Sequence, residues 1–308
     1  GHEFIERFTQ SAAQRKQIGQ FVGAGALAVI VAALASSTFL RNTYYQSEIV
    51  MWADIVKKRP ANARAHNNLG MFLAERGQYA EALAHFDEAC RLNPEDPLAQ
   101  NNLGLTLANQ GRLGEAIPLY LNALERKPDY TDAHFNLGRA LTAQGDFEAA
   151  KAHFMATLKL DPTYAEAYFG WALALKQQGR AAEAVAPLRR VVELRPNWVE
   201  ALDELAWILA TTADPQVRDA GQAIMLAERA VRLTRAERAA PLDVLAAAYA
   251  ENQQFDEAIE TAEQAARLAA ATGDKRLASD INARLLAYQA RREHRETPKA
   301  ASRPSRGR

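Results

Sequence analysis

A single cysteine among 308 residues, Cys90, removes two possibilities at once. No internal disulfide framework can form, and no cysteine-based zinc site can be assembled. Cys90 itself reads as a small residue on a helix, with a bond to a second chain as the alternative. Net charge is missing too, because 37 Lys and Arg balance 37 Asp and Glu. A general nucleic-acid binder needs a basic surplus to neutralise phosphates, so no nucleic-acid partner is expected. Chemical motifs are equally scarce. There is no phosphate loop, no dinucleotide fingerprint and no nucleophile elbow, and the six histidines show no ligand spacing. The expectation is a chain without catalytic residues, metal site, cofactor or small-molecule substrate. Val, Ile and Thr are sparse wherever charges interleave with alanine, which is a helical composition.

One stretch departs from that pattern. Residues 17–40 carry no charge and are bracketed by Arg15 and Lys16 on one side and Arg41 on the other. As a helix they would reach roughly 36 Å, enough to cross a ~30 Å hydrocarbon core with some tilt. Residues 21–35 have no polar side chain, and Gly19 and Gly23 would permit close helix approach in lipid. The expectation is a retained membrane anchor after a short flank at 1–16. The alternative is a cleaved signal peptide, since Ala33-Leu-Ala35 has the small-x-small form of a cleavage site. Arg7, Arg15 and Lys16 precede the segment and only Arg41 follows closely, which places the remainder of the chain outside the cytoplasm, periplasmic in a bacterial cell. The chain opens on Gly1 rather than Met, and the natural protein is expected to carry residues upstream.

Downstream the sequence repeats itself. Asn68-Leu69-Gly70, Asn102-Leu103-Gly104 and Asn136-Leu137-Gly138 recur 34 residues apart. Gly77, Gly111, Gly145 and Gly179 keep the same step, as do Ala82, Ala116, Ala150 and Ala184, and Pro60, Pro94, Pro128, Pro162 and Pro196. Each series has a physical role in a unit of two antiparallel helices too short to stand alone. Gly70 and its counterparts leave room where the first helix crosses the second. Gly77 and its counterparts end the first helix with a left-handed cap. The prolines stop the second. Leu73, Tyr79 and Phe86 are expected in the core, as are Leu107, Leu113 and Tyr120, and Leu141, Phe147 and Phe154.

The pattern resembles the tetratricopeptide repeat (TPR) family over 63–96, 97–130, 131–164 and 165–198. Two looser copies follow at 199–238 and 239–272, the first with a longer inner loop at Thr211–Gly221. Leu277, Ile281, Leu285 and Tyr288 form one apolar stripe, expected as a capping helix over 273–290. Residues 41–62 read as a half-repeat helix containing Trp52, and 291–308, with seven basic residues and two prolines, as a disordered tail. The fold class is all-α, a TPR solenoid preceded by one transmembrane helix.

The resemblance implies a right-handed superhelix whose first helices line a concave groove, with Asn68, Asn102 and Asn136 pointing inward. An amide row of this kind can hold the backbone of an extended peptide. It is similar to the groove of nucleocytoplasmic glycosyltransferases that modify Ser and Thr. Neighbours expected to tune it are Asn67, Asn101, Asn109, Phe135, Arg139 and Phe169. Gly170 and Glu204 interrupt the row in the fourth and fifth copies. The functional expectation is a membrane-anchored scaffold that binds a protein or peptide partner, an envelope assembly factor being one form of it. The alternative rests on residues 41–52 running into Pro60 and Asn67, which resemble the junction in multi-span glycosyltransferases that use lipid-linked sugars. In that case these repeats would be the non-catalytic end of a longer enzyme.

Overall fold

The computed structural model describes residues 48–295. Every regular element among them is a helix: α1 (residues 48–58), α2 (Ala63–Glu75), α3 (Tyr79–Leu92), α4 (Pro97–Asn109), α5 (Leu113–Arg126), α6 (Thr131–Gln144), α7 (Phe147–Leu160), α8 (Ala165–Gln177), α9 (Ala181–Leu194), α10 (Val199–Thr211), α11 (Ala220–Leu233), α12 (Ala239–Glu251), α13 (Phe255–Ala271) and α14 (Lys275–Gln289). They fall into two compact units that divide at Pro94 and Glu95. The expected anchor at 17–40 lies outside the described residues. Among the described residues no helix is long and apolar enough to cross a membrane.

In the first unit α2 and α3 pack face to face. Asn62 opens α2 by accepting from the Ala65 N–H at 3.1 Å, and Gly77 closes the connection with φ +76°. The crossing is built on Gly70. A Cβ there would stand 2.8 Å from the ring of Phe86, which is itself 2% exposed. Burying such a ring is worth about 1.5–3 kcal/mol, so the missing side chain on α2 permits the largest apolar contact of α3.

The second unit reuses the same construction. A Cβ on Gly104 would lie 2.9 Å from Tyr120, and one on Gly138 would lie 2.9 Å from Phe154. Gly111, Gly145 and Gly179 turn with φ between +78° and +88°. Asp96 and Asp146 cap α4 and α7 through side chains that accept backbone N–H groups. In the looser copies the cap survives without glycine, since Gln253 adopts φ +63° between α12 and α13. The longer inner loop runs from 212 to 219, and the Arg218 guanidinium holds it by donating to the carbonyls of Thr212 and Ala213 at 3.1 Å.

Two expectations need correcting. Tyr79, Leu113 and Phe147 are not core residues: Tyr79 is 50% exposed and the other two are half-buried. Each stands at or next to the start of its second helix, where only one side of the ring or chain meets the partner helix. The terminal segment also starts its irregular course inside the folded unit. Residues 292–295 have no helix, yet His294 and Arg295 pack on earlier repeats, as described below.

Candidate functional site

Within the second unit the first helices of successive pairs touch one another, α4 with α6, α6 with α8, α10 with α12 and α12 with α14. The second helices instead pack between neighbouring first helices, α5 against α6 and α7 against α8. The layer of first helices is therefore the shorter, inner side, the surface that solenoids use for extended ligands.

The candidate residues do not share one environment. In the first unit Asn67 is 2% exposed with its amide nitrogen 3.8 Å from the Met71 sulfur, and Asn68 is half-buried on α2. In the second unit Asn102 is half-buried and Asn109 exposed, both on α4. Asn136, on α6, is 8% exposed and donates its Nδ2–H to Oδ1 of Asn101 at 3.0 Å. That bond ties α6 to α4 and leaves Asn136 one amide proton and a carbonyl oxygen for a ligand. Buried Tyr130 leans on the same Asn101. Burial, with the nearby Asp132 and Asp96, pushes its hydroxyl up to about 12, while the Asn101 hydrogen bond works against them. Asn101 is thus a structural partner.

Asn109, Asn136 and Arg139 do meet. They line one cavity of about 100 Å³ between α4 and α6, with Leu105, Leu113 and Tyr120 as its apolar walls. This is well under the ~300 Å³ at which drug-sized ligands fit, so it suits a single side chain of a larger partner. The exposed Arg139 guanidinium lies 5.7 Å from the Phe135 ring, and Phe135 stacks at 5.1 Å on Tyr164. Phe169 is held apart from this group, against Trp198 at 4.7 Å. Gly170 ends the asparagine row for a steric reason: a Cβ there would lie 2.8 Å from Phe154.

Two features had no counterpart in the sequence reading. The first is a pair of histidine bridges. His66 and His85 face each other through their Nδ1 atoms at 3.0 Å, and His134 and His153 do the same. In both, Nε2 of the first-helix ring lies 3.0–3.1 Å from a proline carbonyl, of Pro60 or Pro128. A carbonyl only accepts, so that Nε2 carries the hydrogen, its Nδ1 accepts, and the second ring donates. Burial, then the facing histidine, lowers His85 and His153 from their ordinary value, with Glu81 opposing at His85. No third ligand joins either pair, and among the described residues no group of three or more His, Cys, Asp or Glu could hold a metal.

The second is the acidic inner face of α10 and α12. Oδ1 of Asp203 is buried without a hydrogen-bond partner, and burial pushes its carboxyl up to about 7 despite Arg238. Asp243 receives a bidentate grip from Arg284 at 2.6 and 3.0 Å, and the same guanidinium sits 5.2 Å from the Trp207 ring. Glu251 pairs with Arg218 at 2.9 Å.

Comparison with known proteins agrees with this architecture. Family models described as TPR repeat or tetratricopeptide repeat match residues 52–84, 72–111, 101–150, 135–197 and 242–272. No curated protein matches the chain. Among solved structures, the Pseudomonas aeruginosa pilF protein aligns with TM-score 0.60 at 18% identity, over 72% of this chain and 96% of its own. The APC/C hetero-tetramer Cut9–Hcn1 aligns with TM-score 0.61 at 16% identity, over 79% of this chain and 46% of that one. MamA 41-end from Desulfovibrio magneticus RS-1 aligns with TM-score 0.50 at 22% identity, over 56% and 96%. At these identities the likeness is one of fold. The family matches together span more than half of the sequence, and those between 72 and 197 coincide with helix pairs closed by glycine, two of them crossed at Gly104 and Gly138: the chain belongs to the tetratricopeptide repeat family.

Proposed function

We propose that the chain is an interaction scaffold that holds an extended peptide of a partner protein along the inner layer of α4, α6 and α8. The observation that carries this reading is the cavity shared by Asn109, Asn136 and Arg139, with Phe135 beside it. It combines amide groups for a main chain, a guanidinium with no carboxylate partner among the described residues and a half-buried aromatic ring, all carried on helices. Such a surface recognises a backbone with one or two side chains and offers no group poised for bond making.

A random peptide library displayed on phage and panned against the full chain tests the proposal. Enriched peptides should lose at least tenfold in affinity on Asn109→Ala or Arg139→Ala. Both residues are exposed, so thermal unfolding should not change. Equal binding by wild type and both variants would overturn the assignment of this face.

The proposal includes attachment at a membrane through residues 17–40, with the repeats outside the cytoplasm. It is supported by the uncharged run and its basic flank in the sequence. A reporter active only outside the cytoplasm, fused after residue 290, should be on. The glycosyltransferase alternative requires further hydrophobic spans in the full open reading frame, which sequencing of the gene decides.

A further inference from the structure

The inner face of α10 and α12 is occupied by the chain's own end. After α14 the backbone turns at Arg291, which has φ +50°, and residues 292–295 leave without regular structure. Four side chains, those of Arg291, Glu293, His294 and Arg295, then reach back. Arg291 meets Asp256 at 3.3 Å and stands 5.9 Å from the Phe255 ring. Glu293 bonds to Gln253. The His294 ring packs on Trp207 with centroids 5.6 Å apart, and Arg295 pairs with Glu251 at 2.5 Å. The backbone bonds of this turn go to α14 itself, from Arg291 to Tyr288 and from Arg292 to Ala287. Docking of 293–295 therefore rests on side chains.

The receiving face is specialised. Asp203, Glu204, Asp243 and Glu251 follow one another along α10 and α12, with Trp207 among them. The Glu251 side chain is only 12% exposed and takes two guanidinium groups, Arg218 and Arg295. Trp207 is approached by Arg284 and by His294. Burial and the neighbouring Arg284 and Arg295 hold His294 below its ordinary value, which favours the neutral ring against the indole. Carboxylates that can be reached by a guanidinium, beside an indole that accepts cations and flat rings, select an arginine-bearing strand.

We infer that this face is a second binding site, for an extended basic peptide with a flat ring followed by arginine, and that residues 291–295 are its internal occupant. A tethered segment is present at an effective concentration in the millimolar range, so it fills the site with little intrinsic affinity. A partner whose basic segment binds more tightly would displace it. The residues differ from those of the α4–α6 cavity, so failure of either proposal leaves the other standing.

The full chain with His294→Ala and Arg295→Ala opens the site. The probe is a synthetic peptide of residues 289–297, and the signal is the indole N–H resonance of Trp207, assigned with Trp207→Phe. In the double variant the resonance should move away from its wild-type position. Peptide added up to about 10 mM should return it, while the wild-type resonance, already at the occupied position, should not move on the same addition. Glu251→Gln in the same background should weaken the return at least fivefold, a readout that does not depend on altering Trp207. A resonance unmoved by the double variant would show that the segment is not docked. No return on adding peptide to the double variant would overturn the site.

Discussion

Acid should loosen this protein through its two histidine bridges. Each bridge shares one hydrogen between facing Nδ1 atoms 3.0 Å apart. With the hydrogens placed as above, a second proton goes to Nε2 of His85 or His153, keeps the Nδ1–Nδ1 bond and puts a charge on a half-buried ring, a state that burial resists. The groups concerned are His85, facing His66 and Glu81, and His153, facing His134. Both are held below the ordinary 6.5, first by burial and then by the partner ring. An unfolded chain accepts these protons as pH falls through about 6.5 and the folded chain does not. Stability is therefore complete above 6.5 and declines below it. A wholly refused proton costs about 1.4 kcal/mol at pH 5.5, so two bridges give an upper bound of about 2.7 kcal/mol. The rings are only about half-buried, and solvent screening reduces this to roughly 1.4 kcal/mol. For a domain of this size that is a fall of about 3–6 °C in Tm. Asp203 acts with opposite sign, because its raised pKa makes the fold more stable as pH drops below 7. The measurement must then be a difference of differences. Circular dichroism melts at pH 7.5 and 5.5 are compared for wild type and His85→Gln/His153→Gln, which keeps Asp203 in both arms. The wild type should lose about 3–6 °C more than the double variant. An equal loss in the two proteins would refute the account of the bridges.

Two further outcomes follow from the packing. Gly138→Ala should lower Tm although alanine is the better helix former, because the new Cβ would stand 2.9 Å from a Phe154 ring that has no exposed surface. Overpacking of this kind costs about 1–3 kcal/mol, against a propensity gain of about 1; a melt showing a rise would mean the ring moves aside. Asp203→Asn should raise Tm at both pH values, by about twice as much at pH 8.5 as at pH 5.5, where the unfolded carboxyl is ionised and the folded one is not. Ionising a carboxyl moved from 3.8 to about 7 costs up to about 4 kcal/mol at the higher pH, and the same increment at both pH values would sink the argument.

The helix pairs could be read from the sequence because their requirements are local and periodic. A left-handed cap needs Gly77 or Gly145 at one position, and a tight crossing needs Gly70 or Gly138 at another, whatever lies elsewhere. The histidine bridges were hidden for the opposite reason. His66 and His85 are 19 residues apart on different helices, and their meeting depends on how those helices cross. The signal was present, since His134 and His153 repeat both positions two copies later and the intervening copy has Gln100 and Leu119 instead. The asparagine row was legible as a row but not as chemistry. Asn136 keeps its register, yet its amide is drawn to Asn101 on the neighbouring helix, a choice set by the distance between α4 and α6. The terminal segment looked like a solvated tail because its residues are charged. Only the fold shows Glu251 and Trp207 waiting for Arg295 and His294.

Phe154 sits against two glycines, Gly138 of its own pair and Gly170 of the next. One ring in contact with two backbones couples neighbouring units of a one-dimensional array directly, beyond the ordinary interface between them. The pairs 131–164 and 165–198 should then lose structure as one cooperative step. Partly opened states of the array will break on either side of this doublet and not inside it, and amides of α6 and α8 will exchange with a common free energy of opening.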